Sequence, residues 1–175
     1  STSAIVTDPA ELAGVPDDAL QMLRESAGAE GRSGYKITLQ FPSYSAILDY
    51  ASDRSLRERL YHAFVTRASD HGNPDWNNGP LMVELVRLRD EHAGLLGYPH
   101  YGDLSLVPKM AENPADVLKF LRDLGARARP YAQRDMDELR DFAARHLGLD
   151  ELMPWDFNFA SEKLREARYS YSDQE

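Results

Sequence analysis

The chain contains no cysteine, which excludes disulfides, thiolate metal sites and cysteine nucleophiles and fits a reducing compartment. No run of about 18 apolar residues is present to serve as a membrane helix, and residues 1–9 lack the basic and apolar regions of a signal peptide. The location read from these absences is cytoplasmic, with no membrane partner. Positive charge is also in short supply. The 20 Lys and Arg residues face 29 Asp and Glu, for a formal charge of -9, so a phosphate backbone is repelled on average and no nucleic-acid partner is expected. The basic residues that exist (Arg54, Arg57, Arg59, then Arg122, Arg127, Arg129) lie among acids at helical spacing, the pattern of a solvated surface with local ion pairs.

Catalytic motifs are missing as well. A zinc hydrolase helix needs His-Glu-x-x-His, because imidazoles four residues apart reach one metal while the glutamate activates its water. Glu91-His92 is the nearest approach, but Leu88 stands where an inverted motif needs histidine, and His100 lies beyond Gly97 and Pro99. His62, His71 and His146 are isolated and take no role, and His92 is assigned to a helix interface. There is no Gly-x-Ser-x-Gly elbow and no glycine-rich phosphate loop. No residue is therefore assigned a catalytic, cofactor-binding or metal-binding role. Tyr98, Tyr101, Trp155, Phe157, Phe159, Tyr169 and Tyr171 have the chemistry to line a peptide groove, but core packing is the preferred use of these aromatics.

What is present is a folding composition, 42% hydrophobic and 28% charged, arranged mainly at helical period. Residues 8–13 make one helical turn, and Pro16-Asp17-Asp18 opens a helix that Gly28, Gly31 and Gly34 close. Residues 35–41 alternate at period two, the pattern of a half-buried strand ended by Pro42. A short helix over 43–51 follows, then one capped by Ser52 or Asp53 and carrying Leu56, Leu60, Ala63, Phe64 and Arg67. Residues 69–79 form a loop. From Pro80 a helix presents Leu81, Leu85, Leu88, His92 and Leu95 on one stripe. Asn113-Pro114 opens the longest periodic stretch, from Val117 to Leu147, which is either one helix kinked near Pro130 or two helices meeting there. A last helix occupies 160–171. The expected fold is mainly α, a single helical segment over 1–175 with one isolated β-strand.

A lone strand leaves backbone donors and acceptors unpaired, and the only other candidate strand, residues 4–7, is short. The partner is therefore expected outside these residues. With no initiating methionine, and an end just after a helix, the chain is expected to be a piece of a longer protein.

Several stretches in order carry a resemblance: Glu11-Leu12-Ala13-Gly14-Val15-Pro16, Gly34-Tyr35-Lys36-Ile37-Thr38-Leu39 and Pro42-Ser43-Tyr44. The series continues with Leu56-Arg57-Glu58, Tyr61-His62-Ala63 and Thr66-Arg67-Ala68-Ser69, then Leu88-Arg89 and Ala93-Gly94-Leu95-Leu96-Gly97-Tyr98. Lys109-Met110-Ala111-Glu112-Asn113-Pro114 and Ser161-Glu162-Lys163 complete it. Together they resemble the M3 family of zinc metallopeptidases, the thimet oligopeptidase and oligopeptidase A group. Pro154-Trp155-Asp156 and Tyr169-Ser170-Tyr171-Ser172-Asp173 point to the oligopeptidase A branch. Asn77-Asn78 departs from a more usual Asp-Asn.

The resemblance implies a mostly helical enzyme with a deep channel that cleaves short peptides with one zinc. Its zinc motif and its transition-state tyrosine and histidine groups belong to the C-terminal part of the family sequence, and none falls on a residue here. This segment is then an inactive scaffold that supplies a channel wall and a strand for a sheet beside the active site. Its partners are the remainder of the polypeptide and, in the complete enzyme, short peptides, with dimerisation of the fragment through the strand edge as a further expectation. The alternative is a stand-alone helical module that binds a peptide or a second copy of itself.

Overall fold

The computed structural model describes residues 3–6 and 8–169, and the chain divides into two compact units. One unit joins the residues up to Arg67 to those from Asp137 onward, and the other is Ala68–Met136.

In the first unit, strand β1 (Ser3–Val6) leads to a 3-10 turn, Pro9–Leu12, whose first amides are capped by Asp8. Helix α1 (Asp17–Gly28) starts after extended Pro16, with Asp17 and Asp18 at its positive dipole end. Gly31 and Gly34 then adopt positive φ of 67° and 99°, a left-handed backbone that side chains resist, and this turns the chain into β2 (Tyr35–Thr38). Ile37 is fully buried on the period-two face.

The strand differs from the expected one in two respects. β2 is not isolated, because β1 pairs with it antiparallel, Ser3 opposite Thr38 and Val6 opposite Tyr35. The short segment at 4–7 therefore supplies the partner, with Thr7 outside the described residues, and nothing in the structure supports a dimer through the strand edge. β2 also ends at Thr38 rather than at 41. The Thr38 amide donates to Ser43 Oγ at 2.9 Å and the Gln40 amide to Thr38 Oγ1 at 3.3 Å, so side chains replace the ladder. Pro42 then sits in the first turn of α2 (Phe41–Tyr50), where a missing N–H costs nothing.

Asp53 caps α3 (Arg54–Thr66), its carboxylate accepting from the amides of Ser55 and Leu56 at 2.8 and 3.1 Å. The core gathers Leu12, Leu23, Ile37, Ile47, Leu56, Leu60 and Trp155. A second cluster, Leu139, Ala143 and Ala160 with Phe157 and Leu164 against it, joins the end of α6 (Pro114–Leu147) to α7 (Phe157–Tyr169). α7 begins three residues before the expected start, directly after a 3-10 turn at Pro154–Asp156.

The second unit holds α4 (Gly79–Leu95), α5 (Tyr101–Leu106) and the first part of α6. The turn-rich segment before α4 is a loop as expected, with a 3-10 turn at Pro74–Trp76 capped by Asn73. α5 was not visible in the periodicity. α6 runs through Pro130 as one helix, although proline there leaves the Ala126 carbonyl without its intrahelical donor. The apolar stripe of α4 is not buried among the described residues: Leu81, Leu85, Leu88 and Leu95 are exposed, and Ala93 is the one buried residue of this unit.

Candidate functional site

The strongest polar constellation is built from α3 and the turn before α7. Arg57 follows Leu56 and shares a helical stripe with Leu60 and Phe64, so the backbone carries its guanidinium into the core, where only 1% of the residue is exposed. All of its nitrogens find partners. Nη1 donates to the carbonyls of Ala51 and Ser52 at 2.6 and 3.3 Å, Nε to that of Trp155 at 3.3 Å, and Nη2 to Asp156 Oδ1 at 2.8 Å. The guanidinium also lies 4.2 Å from the centre of the Phe159 ring, within cation–π range.

Asp156 is fully buried and saturated. Arg54 reaches it through Nε and, at 2.7 Å, through Nη2, and the Met153 amide donates to Oδ2 at 3.1 Å. Burial alone pushes the Asp156 carboxyl upward, but hydrogen bonds from Arg54, Arg57 and Met153 outweigh it and hold the group below the ordinary carboxylate range. A guanidinium keeps its proton, and this carboxylate has its lone pairs engaged. The cluster therefore has no means of moving a proton; it clamps residues about a hundred positions apart in the chain. Sequence reasoning had placed Arg54 and Arg57 on a solvated surface. For Arg57 that is corrected, and the missed signal was a charged residue at an apolar position of its helix.

Within neither unit do the histidines converge. His92 is exposed on α4, and the Glu91 beside it is paired with Arg87. His100 is exposed ahead of α5, His71 is exposed beside Asp70, and His146 stacks on Phe142. His62 lies near Glu58 with its ring 5.3 Å from that of Trp155. Among the described residues no group of three or more His, Cys, Asp or Glu is placed to hold a metal ion. The aromatics are divided between the two units. Trp155 and Phe157 pack in the two clusters, Phe159 supports Arg57, and Tyr169 is exposed. Tyr98 and Tyr101 are half-buried in the other unit, with Arg89 over the Tyr101 ring. Tyr171 lies outside the described residues.

The Arg–Asp clamp draws in the Pro154-Trp155-Asp156 turn, and the chain that carries it has known relatives. Residues 47–175 match the model of peptidase family M3. The chain belongs to this family. Oligopeptidase A of Salmonella typhimurium is 46% identical over 174 residues, covering 98% of this chain and 25% of the relative. Oligopeptidase A of Escherichia coli is 47% identical with the same coverage. Organellar oligopeptidase A of Arabidopsis thaliana is 35% identical over 98% of this chain and 22% of its own length. The chain thus spans about a quarter of the length of these M3 relatives. The zinc associated with this family does not fit the described residues: the imidazoles are scattered and no carboxylate stands beside two of them. No helix among the described residues is long and apolar enough to cross a membrane.

Proposed function

We propose that this segment is the non-catalytic framework of a cytoplasmic zinc-dependent oligopeptidase that hydrolyses short peptides, with the zinc ligands and reacting groups supplied by other parts of the polypeptide. The observation that carries the reading is the 46–47% identity to two bacterial oligopeptidases A along 98% of the chain. In this reading the segment forms part of the wall of a channel whose width limits substrates to short, unfolded peptides. The buried clamp of Arg57 and Asp156 keeps that wall in one shape.

The test is peptide hydrolysis by the full-length polypeptide before and after treatment with a zinc chelator, followed by zinc addition. Cleavage of peptides of about ten residues, lost on chelation and restored by zinc, is the expected result. Hydrolysis that is indifferent to chelation, or no hydrolysis at all, overturns the reading.

A further inference from the structure

Residues 81–88 of α4 are apolar in nearly every direction. Leu81, Met82, Val83 and Val86 are 67%, 64%, 73% and 66% exposed, and Leu85 and Leu88 are about half exposed. At about 100° per residue these six positions sweep an arc of roughly 220° around the helix. Within residues 81–88 the polar positions are Glu84 and Arg87, which pair with each other; beyond Leu88 the residues Arg89, Asp90 and Glu91 bring charge back to the helix. A helix on a protein surface carries an apolar face of about 100°, whereas one that is apolar nearly all round belongs inside a larger core.

We infer that α4 is an enclosed helix whose cover is the part of the same polypeptide that lies outside these 175 residues. The relatives matched along 98% of this chain hold about three-quarters of their length outside the match, so ample chain exists to surround a helix. Two other occupants fit the geometry less well. A bound peptide laid in a groove covers one stripe of a helix, and a twofold contact with a second copy covers one face; neither encloses 220°. The cover must be apolar over Leu81, Met82 and Leu85, whereas Val83 and Val86 share a groove with Arg87, Arg89, Asp90 and Tyr101, where a polar group of the cover finds partners. The inference rests on the proposed reading of the chain as a segment of a longer oligopeptidase.

The experiment uses the full-length polypeptide with a diazirine amino acid replacing Met82 or, in a separate preparation, Val86, followed by irradiation and mass spectrometry. Both replacements are close to the native side chain in size. Cross-links from both positions to peptides outside residues 1–175 of the same molecule support the inference, whether or not the preparation cleaves peptides, so the two readings fail separately. Cross-links confined to residues 1–175, cross-links between two copies, or cross-links to an added short peptide each overturn it. Oxidation of Met82 by peroxide in the unmodified full-length protein provides a readout free of any substitution. The expected rate is at least about tenfold below that of the urea-unfolded protein, and a rate within twofold of it contradicts enclosure.

Discussion

Asp156 holds two guanidinium groups and a backbone amide with a carboxylate that water does not reach. Removing it leaves Arg57 charged and buried without its counter-ion, which costs on the order of 3–5 kcal/mol. The Asp156→Ala variant should therefore lose that much stability in urea unfolding followed by tryptophan fluorescence. Replacing both partners, Arg57→Met with Asp156→Leu, should cost markedly less, because no charge is stranded. The acid limb follows from the same carboxylate. Its folded pKa lies below its unfolded value of about 3.9. The stabilisation is therefore complete above the unfolded value and fades as pH falls through the folded one. The urea midpoint should drop below about pH 4, and Asp156→Asn should flatten that limb. Arg57 was hard to read from sequence because a cation at an apolar helix position is interpretable only when its partner is known, and Asp156 lies 99 residues away.

Among the elements, those with local chemical punctuation were legible. Pro16-Asp17-Asp18, Asp53 and Asn113-Pro114 each mark a helix start within a residue of where it occurs, because capping is settled by neighbours in sequence. The strand pairing was not legible, since β1 has only four residues and a strand so short signals itself only through its partner. The end of β2 was also misread. Period-two alternation continues to Phe41, but the Ser43 hydroxyl takes the Thr38 amide and the chain turns into α2. Gly14 has φ of 89°, and a Cβ there would stand 2.5 Å from the Tyr50 carbonyl. Gly14→Ala should destabilise by more than about 1 kcal/mol, read as a lower urea midpoint. In α6, Pro130 deprives the Ala126 carbonyl of a donor, and Gly125 sits one residue earlier. Amide hydrogen exchange should therefore be faster around 126–131 than in the flanking turns, and Pro130→Ala should slow it.

At the scale of the whole molecule, the mainly helical class and the M3 membership were legible from ordered motifs, whereas the division into two units was not. Periodicity identified an apolar stripe on α4 but carried no information on what covers it, and the side chains of that stripe are exposed among the described residues. On the proposed reading, none of the chain's five histidines is a zinc ligand in the full-length protein. The most direct test is the zinc content of the full-length protein carrying His62→Gln, His71→Gln, His92→Gln, His100→Gln and His146→Gln together, measured by atomic mass spectrometry after dialysis. The variant should hold the same zinc per molecule as the parent protein; loss of zinc with the fold intact by circular dichroism would assign one of these histidines to the metal.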